Sequence, residues 1–205
     1  MVQLRMNKEQ RKRIIDRHRD SLTRHGHHPN ALYWSCKAIQ EIRFKVLGEI
    51  GIESDDSVLD VGCGFGDFKS WSEAQDCPLD YTGIDLSPDL LTEARKRHQD
   101  GSFFDGDLFD MDFTDQSFDW VVLSGALNEQ LHDEGAYARS VIKRMYVICR
   151  RGVAFNLLDA RQFSVHDLQS HDPIEILEYC AKLSPDCTLR EAYLDNDFTI
   201  YMRKA

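Results

Sequence analysis

Short apolar runs alternate with longer amphipathic segments along most of this chain, and this alternation predicts an α/β fold. Five runs have the length and the β-branched or aromatic content of buried strands. They cover residues 57–61, a run that ends at Asp85, and residues 102–106, 118–124 and 153–158. Strands that alternate with helices form right-handed crossovers and therefore a parallel sheet.

The end of the chain breaks this alternation. Residues 188–194 and 198–203 flank Asp195-Asn196-Asp197, a pattern typical of a β-hairpin. With the five earlier strands, the hairpin predicts a doubly wound, mostly parallel sheet of seven strands with a C-terminal antiparallel hairpin. Helical spacing before the first strand adds an N-terminal helical extension. We therefore divide the chain into an extension or lid, residues 1–50, and a sheet domain, residues 51–205.

Helix boundaries follow from caps and breakers. Residues 1–24 predict a polar helix appended to the sheet domain, and Pro29 ends the segment that follows it. Asn30 can cap a second helix that continues to Gly51. Further helices are predicted from residue 67 to before residue 78, from residue 88 to 98 and from residue 133 to 149.

The most distinctive segment has the sequence VLDVGCGFGD over residues 58–67. A buried strand ends at Val61, and three glycines without a Cβ then let the backbone turn tightly and approach a ligand closely. Free N–H groups at the start of the next helix favour an anionic group, which for an amino-acid-bearing ligand is a carboxylate. A dinucleotide loop would have a third glycine where this chain has Asp67.

Three later segments extend the pattern: GIDLSP at 83–88, FFDGDL at 103–108 and FDWVVLS at 118–124. Each is an apolar strand that ends in polar or acidic residues. In this order and spacing the segments resemble the class I S-adenosylmethionine-dependent methyltransferases, and the resemblance covers about residues 50–205. It implies S-adenosylmethionine as the cofactor and S-adenosylhomocysteine as the product.

The resemblance also implies roles for individual residues. The loop glycines approach the methionyl part, Asp60 orients the loop or contacts the cofactor amine, and Asp85 accepts hydrogen bonds from both ribose hydroxyls. Asp107 accepts from the adenine amino group, although Asp105 and Asp110 crowd the same loop. The full predicted cofactor set is Asp60, Gly62, Gly64, Gly66, Asp85, Leu86, Asp107, Leu108 and Ser124.

The methyl acceptor is less well specified. Residues 124–132 follow the fourth strand, where this family places groups that meet the acceptor, and they contain no Asn-Pro-Pro-Tyr sequence of the kind that amino-methylating nucleic-acid enzymes use. The candidates for orienting or deprotonating the acceptor are Asn128, His132 and His28. His132 could equally be a surface residue that opens a helix.

A cluster of imidazoles and aromatics precedes the second helix. A lid over the cofactor would use His27, Tyr33 and Trp34, and would order when the cofactor binds. A polar loop with both aromatics in the core explains the same pattern. A metal site is not expected, because the acidic and cysteine partners are missing nearby.

Composition narrows the function further. The net charge is −10, yet residues 1–30 hold eight Lys and Arg against three acids. An acidic body disfavours a nucleic-acid substrate, whereas the basic arm keeps that alternative open. We predict a cytoplasmic location from three features. The cysteines are scattered, no apolar segment is long enough to span a membrane, and the N-terminus does not resemble a signal peptide. We expect a methyltransferase that acts on a small molecule by in-line methyl transfer. The alternatives are a nucleic-acid methyltransferase and a non-catalytic, cofactor-binding regulator. The sequence does not determine the oligomeric state.

Overall fold

The computed structural model describes residues 5–204, which form a seven-stranded sheet with helices on both faces. The strands are β1 Ser57–Val61, β2 Asp80–Asp85, β3 Ser102–Asp105, β4 Phe118–Ser124, β5 Cys149–Leu158, β6 Asp186–Arg190 and β7 Asp197–Arg203. Their order is β3-β2-β1-β4-β5-β7-β6. The first five are parallel, whereas β7 runs antiparallel to β5 and β6. The predicted sheet and terminal hairpin are thus confirmed.

Alternating side chains on the strands build two apolar layers. Val121 and Leu123 of β4 face one layer, and Trp120 and Val122 face the other. Helices α5 Ala136–Ile148 and α6 Pro173–Ala181 cover the first layer. Helices α2 Lys37–Gly48, α3 Asp67–Glu73 and α4 Pro88–Arg97 cover the second. Burial on both faces explains why these strands read as continuous apolar runs.

The second predicted helix is interrupted. Residues Pro29–Leu32 form a short 3-10 helix capped by the His28 ring, and Tyr33 then adopts a left-handed backbone (φ 62°) before α2 begins. Asn30 is therefore not the cap, because it already lies inside the 3-10 turn. The sequence prediction also missed α6, which begins with an Asp172 cap and a proline at its first position.

Helix α1, Lys8–His25, begins with a reciprocal capping box between Asn7 and Gln10. It was predicted to be an appendage over residues 1–24, of which residues 1–4 lie outside the described part. Instead it crosses the carboxyl edge of the sheet, with hydrogen bonds from Gln10 and Arg13 to the loop after β4. Within residues 5–204 no helix is long and apolar enough to cross a membrane.

Candidate active site

A cavity of about 590 Å³ lies at the carboxyl ends of the parallel strands. This edge is where open α/β sheets bind ligands, and the volume is within the usual range of small-molecule sites. Loops after β1 to β5 and the loop before β7 form its floor and walls, while α1 and the segment around Tyr33 cover it. Most lining side chains are apolar; they include Ile14, Leu32, Val61, Ile84, Leu86, Leu108, Leu127, Leu158, Phe163 and Leu168.

The glycine loop and Asp85 form one hydrogen-bonded unit. The Asp85 carboxylate accepts from the Gly64 N–H at 2.9 Å and from the Ser87 N–H at 2.8 Å. Burial raises the pKa of Asp85, although His18 and these two N–H groups oppose the rise. Each carboxylate oxygen keeps a second lone pair, so the group can still accept hydrogen bonds from a ligand in the cavity.

Gly62 is required by the loop itself. Its backbone is left-handed (φ 76°), and a Cβ there would lie 2.2 Å from the Ala126 Cβ in the loop after β4. Gly62 and Gly64 line the cavity, whereas Gly66 directly precedes α3, lies beside His98 and does not line the cavity. The three predicted glycines are therefore neighbours with different surroundings.

The acidic residues predicted for the site also have different surroundings. Asp107 lines the cavity beside Leu108, but its carboxylate already accepts from the Phe109 N–H at 3.0 Å and from the Tyr137 hydroxyl at 2.8 Å. Asp105 pairs with Arg95. Asp110 stays beside Asp107, because it accepts from the Asp107 N–H at 3.0 Å and Arg11 contacts both carboxylates. Asp60 is buried outside the cavity lining, where it accepts from the Tyr81 hydroxyl at 2.6 Å and burial raises its pKa to about 7.

Of the residues predicted at the end of β4 and in the loop that follows it, Ser124 and Asn128 line the cavity. His132 is exposed, has a left-handed backbone (φ 55°) and lies outside the lining. His27 and His28 are likewise exposed: the His27 ring contacts Phe65 and Arg97, and the His28 ring caps the 3-10 helix. Tyr33 and Trp34 do line the cavity.

Two further cavity residues come from α1, where the sequence prediction placed none. Arg17 and His18 both face the cavity, and Arg17 bridges Glu129 at 2.5 Å. The helical spacing of residues 14, 17, 18 and 21 does mark one face. That face is mostly polar, with Ile14 its only apolar member, so the hydrophobic pattern gave no sign of its burial.

Three buried polar atoms in this cavity have no hydrogen-bond partner among the described residues: Arg17 Nε, His18 Nδ1 and Asn128 Oδ1. Buried polar groups in folded proteins are nearly always paired, so unpaired ones on residues that line a cavity point to a partner outside the protein, either a water molecule or a polar ligand. Together with the Asp85 carboxylate, these atoms offer both donors and acceptors above an apolar floor. They therefore fit a nucleoside-containing cofactor and a protic acceptor.

The wall near the C-terminal hairpin is built around Arg43. Its guanidinium makes two 2.5 Å bonds to the Asp197 carboxylate, and both side chains are less than a tenth exposed. The same guanidinium stacks on the Trp34 ring, 4.3 Å from its centroid. This pair fixes Trp34 at the cavity wall. The sequence prediction included neither charged residue among the site residues.

Comparison with known proteins agrees with this geometry. The family described as "Methyltransferase domain" matches residues 58–152. A Mycobacterium tuberculosis protein that bears a methyltransferase name, Rv1506c, is 30% identical over 158 residues, which are 73% of this chain and 93% of the relative. A demethylmenaquinone methyltransferase of Chlorobaculum parvum is 38% identical over 86 residues, which are 42% of this chain and 34% of that protein.

Among solved structures, the magnesium protoporphyrin IX methyltransferase of Synechocystis PCC 6803 with bound S-adenosylmethionine superposes with a TM-score of 0.69. The match covers 98% of this chain and 100% of that one at 14% sequence identity. At this identity the likeness concerns the fold alone.

Proposed function

Because the chain belongs to the class I S-adenosylmethionine-dependent methyltransferases, we propose that it methylates a small molecule held in the cavity under α1. The cofactor supplies an electrophilic methyl group on its sulfonium. The protein's contribution is to align the acceptor for in-line attack and to exclude water, and alignment alone can supply several kcal/mol of rate enhancement, roughly 7–11 in favourable cases.

In this proposal Asp85 and the glycine loop hold the cofactor, and Asn128 receives the acceptor. The unpaired Asn128 Oδ1 is the observation that carries the acceptor assignment, because a hydroxyl or an amine could donate a hydrogen bond to it. Leu158, Phe163 and Leu168 line the same cavity and would contact an apolar body. His28 and His132 are weaker candidates, since their side chains lie outside the lining.

The charges around the cavity favour a neutral acceptor. Arg17 is paired with Glu129, and Arg43 is paired with Asp197. Further carboxyl groups line the same cavity, so acids outnumber these two guanidiniums, and a carboxylated or phosphorylated acceptor would be repelled. The menaquinone and porphyrin methyltransferases among the similar proteins are named for small-molecule substrates, which supports this substrate class by analogy.

The basic N-terminal arm offers less support for nucleic-acid binding than its charge suggested. Arg11 bonds to Asp110, and Arg19 bonds to Asp89, so these cations are matched by acids of the protein's own body. A cytoplasmic location remains part of the proposal. All six cysteines are free, as is usual in a reducing compartment.

The test measures S-adenosylhomocysteine release with neutral phenols, alcohols and amines, each paired with its carboxylated analogue. We expect turnover of neutral compounds. Asn128→Ala should lower it at least ten-fold, and His132→Ala, in the same loop, should leave it within two-fold. Turnover only with oligonucleotides, and binding that falls steeply with salt, would support the nucleic-acid alternative. Cofactor binding without release for any acceptor would support the regulatory alternative.

A further inference from the structure

Helix α1 places an imidazole directly in the cavity. The His18 side chain lines it, and Nδ1 is buried without a partner among residues 5–204. The charged groups that face this ring are the carboxylates of Asp85 and Glu129 and the guanidinium of Arg17. A buried ring nitrogen beside two carboxylates, yet bonded to neither, requires an explanation.

Two ion pairs fix the position of His18 along the cavity. The preceding residue, Arg17, bridges Glu129 after β4, and the following residue, Arg19, bonds to Asp89 in α4, which follows β2. Strand β1 lies between β2 and β4 in the sheet. His18, between these two anchored residues, lines the same cavity as Asp85 and Gly64.

We propose that His18 is a cofactor-binding residue, which contacts the ribosyl hydroxyls of S-adenosylmethionine from the α1 side while Asp85 contacts them from the sheet side. A hydroxyl suits this position because it can donate to a carboxylate and accept from an imidazole N–H at once. The contact makes α1, which lies outside the matched methyltransferase region, part of the cofactor site.

The electrostatic surroundings agree with this role. Burial lowers the pKa of His18, and Asp85 and Glu129 only partly oppose the effect. The ring is therefore neutral at pH 7 and keeps one donor and one acceptor nitrogen. This inference rests on the family's use of S-adenosylmethionine.

The experiment measures S-adenosylhomocysteine binding to the full chain by titration calorimetry. His18→Phe keeps an aromatic ring but removes both nitrogens, and should weaken binding about five- to ten-fold, the loss of one hydrogen bond. His18→Asn, which keeps a polar group near the Nδ1 position, should restore binding to within about three-fold of wild type. His25→Phe, an exposed histidine at the end of the same helix, should bind like wild type.

A second measurement separates a contact from a general effect on the helix. If His18 and Asp85 hold the same hydroxyls, the loss in His18→Phe combined with Asp85→Asn should be smaller than the sum of the two single losses. Wild-type affinity in His18→Phe, or equal losses in His18→Phe and His25→Phe, would overturn the proposal. Failure of the wild-type protein to bind S-adenosylhomocysteine would instead count against the use of this cofactor.

Discussion

At the scale of single residues, Asp85 connects the protein's own loop to its ligand site. Its carboxylate holds the Gly64 and Ser87 N–H groups and also lines the cavity. Replacing it with alanine removes those bonds and the predicted bonds to ribose. Because a hydrogen bond to a charged group contributes about 1.5–3 kcal/mol, we expect Asp85→Ala to weaken cofactor binding ten-fold or more.

Calorimetry with S-adenosylhomocysteine measures this loss, and circular dichroism checks the fold. Asp105→Ala is the matched control, since Asp105 ends the neighbouring strand β3 but is half exposed and paired with Arg95. The control should bind like wild type. Equal affinities in the two variants would contradict a ribose-binding role for Asp85.

Asp60 provides a prediction about pH. Its folded-state pKa is raised to about 7, whereas an unfolded chain has a carboxyl pKa near ~3.9. The folded state therefore binds a proton more readily, and its stability falls as pH rises from about 4 to above 7. We expect Asp60→Asn to remove this loss. Between pH 5 and pH 8 the variant should therefore gain stability relative to wild type, by about 1.4 kcal/mol for each pH unit between 5 and the folded-state pKa of about 7.

Urea unfolding at both pH values measures this difference. Asp119→Asn is the control, because the pKa of Asp119 is shifted in the opposite direction: Arg150 and Ser57 lower it. The Asp119 carboxylate is ionised in both folded and unfolded states above pH 5. The difference in unfolding free energy between Asp119→Asn and wild type should therefore be the same at pH 5 and pH 8. A similarly constant difference for Asp60→Asn would refute the raised pKa.

At the scale of elements, α1 is the part of the molecule that sequence reasoning described least well. The strands were predicted because buried parallel strands are apolar runs, and the glycine loop because its backbone conformation excludes most side chains. Helix α1 instead contacts the body through arginines, whose partners are acids as much as 112 residues away in sequence. Periodicity contains no information about such pairs, so Arg17 and His18 were missed.

The same contacts predict how α1 behaves. It is held by ion pairs from Arg11, Arg17 and Arg19 whose side chains are a quarter to half exposed, and such pairs contribute only about 0–1 kcal/mol each. We therefore expect α1 to open more readily than the sheet and to be stabilised by ligand. Residues 25–34, the predicted lid, should respond with it, because Tyr33 donates to the Arg17 carbonyl.

Hydrogen exchange measured with and without saturating S-adenosylhomocysteine tests this expectation. Amides of α1 and of residues 29–34 should exchange more slowly with ligand, and 0.5 M salt should speed their exchange in the free protein through screening. Amides of β4 and β5, in the middle of the sheet, are the internal control. Unchanged exchange in both segments would show that neither is a cofactor-ordered lid.

At the scale of the whole molecule, the N-terminal and C-terminal parts meet at one wall of the cavity. Arg43 on α2 and Asp197 at the start of β7 are 154 residues apart in sequence and form a buried, two-bond ion pair. Glu49 and Arg190 join the same two regions at 3.3 Å, but both are more than a third exposed. The two pairs therefore differ mainly in burial.

This difference predicts very different costs. Asp197→Asn leaves a buried guanidinium without its counter-ion, which should destabilise the protein by about 3–5 kcal/mol, whereas Arg190→Gln should cost less than about 1 kcal/mol. Replacing both buried partners, as in Arg43→Met with Asp197→Leu, should recover part of the loss because no isolated charge remains. Urea unfolding measures all three variants. Because Arg43 also stacks on Trp34, Asp197→Asn should change the indole fluorescence. If Asp197→Asn instead matched Arg190→Gln in both stability and fluorescence, the buried pair would hold neither the fold nor the cavity wall.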